Sequence, residues 1–121
     1  ENLFAAQWSP DEKQMFALDA DTWHPRILDI GKGVWRLLNE RRIAYPRWSR
    51  DGKYICGMQA PNSRAEAHRI EVATGRREVI ARSDFNTIAN LGFWLGYTQD
   101  MEPLTIRDLS STQIYRIDLD R

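Results

Sequence analysis

The side chains able to do chemistry are few and scattered. His24 and His68 could each act as a general base or a metal ligand, yet neither has a second ligand at a familiar spacing. His68 alternates with Ile70 and Val72, which predicts a packed ring on an inner face, and His24 precedes Pro25 in a loop. The single cysteine, Cys56, would be a nucleophile only as an exposed thiolate, and its place in an apolar run predicts a small buried hydrophobe. One cysteine makes no internal disulfide and leaves the redox compartment open. Asp19 and Asp21 begin a calcium-loop spacing whose later ligands are missing. "GKG" at 31–33 lacks the rest of a phosphate loop and reads as a tight turn. No Ser-His-Asp or Cys-His set can be assembled, and G-x-S-x-G is absent. The expectation is a chain that is not an enzyme and holds no metal or cofactor.

Arg41, Arg42, Arg47 and Arg50 form the densest basic cluster. With Tyr45 and Trp48 nearby they could meet an anionic partner by ionic and cation–π contacts, and the competing reading is a solvated loop. No ligand-binding residue beyond this cluster stands out. Seventeen basic residues balance seventeen acidic ones, so no overall field favours nucleic acid or an anionic membrane. The longest uncharged run, 85–99, contains Asn, Thr and Gly and is no membrane span. No signal-peptide pattern opens the chain. With 121 residues, 42% hydrophobic and 28% charged, the chain suits one globular domain.

The elements that would position these residues come from a repeat. Trp8-Ser9-Pro10-Asp11 recurs as Trp48-Ser49-Arg50-Asp51 and, more loosely, as Tyr97-Thr98-Gln99-Asp100. An apolar–acidic–apolar triplet follows each aromatic after 20, 22 and 20 positions: Leu28-Asp29-Ile30, Ile70-Glu71-Val72 and Ile117-Asp118-Leu119. Short apolar runs (13–18, 53–58) and period-two stretches (68–72, 113–119) predict strands, and no helical period is sustained. The turns at 31–33 and 73–75 predict hairpins into Val34–Leu38 and Glu78–Ala81. Four antiparallel strands in about 40 residues is the signature of a propeller blade.

In the repeated phrase, Ser and Asp bond nearby amides, Pro presets φ, and Gly accepts positive φ. The second copy has Gly52, whereas Glu12 stands at that place in the first and is expected to be strained by about 1 kcal/mol if its φ is positive. The aromatic is expected to fill the gap between blades and donate its ring N–H. Trp8, Ile27, Trp48, Ile55, Ile70, Val79, Trp94 and Ile117 are the expected core, and Asp29, Glu71 and Asp118 are read as architectural.

"WSPDEKQMFAL" and "YPRWSRDGKYI" resemble the repeats of TolB-type β-propellers, whose blades carry a W-S-P-D-G phrase. The stretch 92–120 resembles the last blade of propellers attached to bacterial winged-helix regulators and serine/threonine kinases. The resemblance implies an all-β propeller segment: blades at 1–42 and 43–84, and a three-stranded partial blade at 85–121. It also implies a non-enzymatic binding or sensory module of a larger bacterial regulator or receptor, working through blade loops on a protein or small ligand. The alternatives are an accessory propeller of a prolyl-oligopeptidase-like hydrolase and a pure scaffold. Closed propellers need at least four blades. The expected partners are therefore the missing blades of the same protein or a second copy of the chain, without nucleic acid and without membrane contact from this segment. Membrane-anchored relatives suggest an extracytoplasmic location, and nothing in the chain fixes it.

Overall fold

The computed structural model describes residues 2–59, 64–86, 95–98 and 101–105. Every regular element in them is a strand: β1 (Leu3–Trp8), β2 (Gln14–Asp19), β3 (Pro25–Asp29), β4 (Val34–Leu37), β5 (Ala44–Trp48), β6 (Tyr54–Gln59), β7 (Arg64–Glu71), β8 (Arg77–Asn86), β9 (Leu95–Tyr97) and β10 (Pro103–Thr105). β1 to β4 form one antiparallel sheet in chain order, β5 to β8 a second, and β9 pairs with β10.

The repeated phrase folds into the same turn twice. Ser9 N–H donates to Gln14 O at 2.8 Å, Gln14 N–H donates to Ser9 Oγ at 3.0 Å, and Ser9 Oγ donates to Asp11 Oδ1 at 2.7 Å. Ser49, Asp51 and Tyr54 repeat all three bonds at 2.9, 3.0 and 2.7 Å. The third copy keeps the plan with one residue fewer: Thr98 N–H donates to Glu102 O, and Glu102 N–H to Thr98 Oγ1. Glu12, Gly52 and Met101 occupy the same turn position with φ of 61°, 72° and 64°. The strain expected at Glu12 is thus present. Gly33 and Gly75 close the hairpins after the acidic triplets with φ of 68° and 76°. Asp29 and Glu71 brace those turns by accepting from Gly31 N–H and Thr74 Oγ1.

The two four-stranded sheets pack face to face. Phe16, Leu18, Ile27 and Leu38 meet Trp48, Ile55, Ile70 and Val72, with Ile43 between them, all buried. Each such aliphatic side chain contributes on the order of 1.5–3 kcal/mol by leaving water. Polar bonds set the alignment: Trp48 Nε1 donates to Gln7 O at 3.0 Å, and Gln7 Nε2 donates back to Pro46 O at 2.7 Å. Gly75 lies so close to the linker after β4 that a Cβ there would sit 2.5 Å from Leu38 O. A second cluster joins Cys56, Met58, Ala65 and Ala67 to Tyr97, whose hydroxyl donates to Gly57 O at 2.7 Å.

Two expected core residues are not buried. Trp8 is 54% exposed because cross-strand pairing sets Trp8, Met15, Leu28 and Trp35 in one row on the face turned away from the second sheet. Forty positions on, Trp48 takes the equivalent face, which there is covered by the first sheet. Val79 is 37% exposed on β8, the last strand and one of the two edges of the second sheet. Trp94, Asp100, Ile117 and Asp118 lie outside the described residues.

Candidate functional site

The first strands of the two four-stranded sheets, β1 and β5, are bulged at the same place. In β1 the pairing jumps from Phe4↔Leu18 to Gln7↔Phe16, and in β5 from Ala44↔Met58 to Arg47↔Cys56, so two residues oppose one. One type of such bulge places a residue in left-handed backbone and usually takes glycine there. Here it takes Ala5 at φ 56° and Tyr45 at φ 50°. The hairpin between β2 and β3 brings in a third left-handed residue, Trp23 at φ 63°, in a loop held by Asp19. The Asp19 carboxylate accepts from the amides of Asp21 at 2.9 Å and Thr22 at 3.2 Å, which holds it below the usual carboxylate range. That is the bonding of a turn brace.

These three residues share one cavity. It measures about 750 Å³ and opens between the two sheets, lined by Phe4, Ala5 and Gln7 of β1, Leu18 of β2, Trp23, Arg42 from the linker, Ala44, Tyr45 and Pro46 of β5, and Gln59 of β6. Phe4 and Trp23 meet edge to face with centroids 5.3 Å apart, and the Arg42 guanidinium stands 5.2 Å from the Trp23 ring. Gln59 Nε2 donates to the Arg42 carbonyl and pins the linker to β6.

The structure separates the four arginines that are close in sequence. Arg42 lines the groove, Arg47 reaches the other way to donate to Tyr97 O at 3.1 Å, and Arg50 borders a second recess beside Cys56 and Arg69. Arg41 gives its carbonyl to Arg77 Nη1 at 3.1 Å. Tyr45 joins Arg42 in the groove, whereas Trp48 is buried between the sheets. The cation–π partner of Arg42 is Trp23, a residue that sequence reasoning passed over.

Cys56, His68 and the turn serines are engaged in structure. Burial pushes the Cys56 thiol up to about 11, so it is not a thiolate at neutral pH. His68 is 1% exposed; Arg77 Nε donates to its Nδ1 at 2.7 Å, and its Nε2 lies 3.0 Å from Glu66 Oε1. A guanidinium has only donors, so Nδ1 must accept and the proton sits on Nε2, facing Glu66. Burial, opposed by Glu66, lowers the His68 pKa. Among the described residues, no three of His, Cys, Asp or Glu converge as a metal would require. Ser9 and Ser49 spend their hydroxyls on Asp11 and Asp51, holding both carboxyls below their ordinary range.

The groove was partly legible. Pro46 inside "AYPRW", two places before Trp48, signals a bulge or an edge, because proline cannot donate to a ladder. Nothing local marks Phe4 or Trp23, which reach the groove only through packing.

Stacked four-stranded antiparallel sheets, each entered through the same aromatic-Ser-x-Asp turn, define a β-propeller segment. No protein-family model and no curated protein matches the chain. Among solved structures it is similar to TolB from Acinetobacter baumannii, at 20% identity and a TM-score of 0.58, over 84% of this chain and 25% of that one. It is similar also to an acylaminoacyl peptidase from Pyrococcus horikoshii, at 17% identity and a TM-score of 0.53, over 88% of this chain and 18% of that one. The chain thus spans a quarter or less of either protein, and the likeness is one of fold: a TolB-type propeller segment.

Proposed function

We propose that the chain is a non-enzymatic binding segment of a propeller and that it receives its ligand in the groove between its first two sheets. One observation carries this reading: Ala5, Trp23 and Tyr45, three of the non-glycine residues with left-handed backbone, all stand on the wall of the same cavity. Each such conformation costs on the order of 1–3 kcal/mol and persists where packing over-determines it. A wall fixed before the ligand arrives spares the ordering cost at binding. A sensory role within a bacterial regulator or receptor is the setting that best suits such a module.

The likeness to a peptidase chain favours a second reading, in which the propeller accompanies a catalytic domain outside this sequence. In either setting, further blades, or a second copy of the chain, are the natural cover for the open Trp8–Met15–Leu28–Trp35 face. Two-dimensional NMR of the 121-residue chain titrated with pooled peptide and metabolite fractions tests the groove. Shifts are expected to cluster at Ala5, Trp23 and Tyr45. Shifts confined to the Ser9 and Ser49 turns would overturn the assignment.

A further inference from the structure

We infer that the groove takes an acidic peptide bearing an aromatic side chain, an inference that rests on the binding reading above. The charge balance of the wall points to an anion. Among the described residues, Arg42 is the only charged one lining the cavity, and no carboxylate lines it. Among the described residues the Arg42 guanidinium makes no hydrogen bond and no ion pair, so its donors stay available above the Trp23 ring. A guanidinium offers a fork that fits a carboxylate with two parallel bonds, and the ring beneath it favours the same orientation.

The backbone that carries this guanidinium is anchored. The Arg42 carbonyl accepts from Arg77 Nη2 at 3.0 Å and from Gln59 Nε2, which fixes the position from which the side chain reaches. The apolar half of the site is equally plain. Phe4 and Trp23 are each 37% exposed and Tyr45 is 50% exposed, giving open ring surface on which another ring can stack.

Size and hydrogen bonding favour a peptide over a simple aromatic acid. About 750 Å³ lies within the range of cavities that enclose ligands much larger than one ring. Gln7 and Gln59 each spend the amide nitrogen on a backbone carbonyl. Their side-chain oxygens are left as acceptors, which suits the N–H groups of a main chain.

The test is calorimetric titration of the 121-residue chain with four probes: a capped tetrapeptide alternating Phe and Glu, its Gln and Lys counterparts, and phenylpropionate. Resonances of Trp23 and Tyr45 report where each binds. The acidic peptide is expected to bind at least tenfold more tightly than the Gln peptide, with the preference shrinking as salt rises. R42Q, at an exposed position, should abolish that preference and leave the chain folded, with only the small loss of stability that the contact with Trp23 accounts for. Equal binding of the Gln or Lys peptide at Trp23 would overturn the anionic assignment and leave the groove as a binding site. Phenylpropionate binding as tightly as the acidic peptide would overturn the peptide. If no probe moves Trp23 or Tyr45, both the ligand class and the groove reading fall.

Discussion

Two glycines of the second sheet separate two physical effects. A Cβ at Gly52 would meet nothing closer than Pro10 Cδ at 3.6 Å, so Gly52→Ala is charged only for its left-handed backbone, about 1 kcal/mol. Gly75→Ala adds a clash with Leu38 O to a similar φ and should cost clearly more, which urea unfolding of the two variants would show. The sequence marked Gly52 by its Asp-Gly turn, but the close approach at Gly75 depends on where the linker from the other sheet comes to rest. His68 makes a second prediction. Its neighbours are Glu66 on β7, Arg77 on β8 and Arg41 on the linker, and burial, opposed by Glu66, lowers its pKa in the folded state. Its native pKa therefore lies below the unfolded value near 6.5, and the unfolded chain takes up the proton first. Stability should be flat above about pH 6.5 and fall as the pH drops below it, and His68→Gln should remove that part of the slope. Urea midpoints between pH 7.5 and 5 would measure it.

At the scale of the strand, the repeat was legible because each landmark is local. The turn needs Ser or Thr to close on an amide a few residues on, and each hairpin needs Gly after its acidic triplet; such chemistry leaves a mark in adjacent letters. Burial of the repeated tryptophan is different, since it depends on which side of the sheet has a neighbour. Trp48 donates to Gln7 O across the gap between sheets, and Trp8 has no such partner among the described residues. Trp48→Phe should therefore cost on the order of 1 kcal/mol from the lost bond, with a further loss from imperfect filling. Trp8→Phe should stay within about 0.5 kcal/mol. Comparable losses at both positions, measured by thermal unfolding, would contradict the asymmetry. The bulges in β1 and β5 had a weaker signature: Pro46 betrays one, while Ala5 and Ala6 hide the other.

For the whole molecule, the sequence set strand order and sheet pairing but not the site. Four arginines within ten positions looked like one patch, yet the chain's path through β5, the first strand of the second sheet, sends them to different surfaces. Only Arg42 arrives beside the rings of Phe4 and Trp23, which come from another sheet. The open row Trp8–Met15–Leu28–Trp35 is the other property of this scale. If it serves for self-association, sedimentation velocity should show a concentration-dependent rise in mass that Trp8→Glu suppresses. A single sedimenting species, unchanged with concentration, would exclude it.

The hook from Trp48 to Gln7 gives the stack a polarity. The second sheet grips the first with an indole at Gln7 O and offers its own Gly57 carbonyl to the hydroxyl of Tyr97 on β9, so the front and rear of the second sheet are chemically distinct. Any union of copies that extends this grip must run head to tail. It ends as a ring when the turn per sheet divides a full circle and as an open filament when it does not.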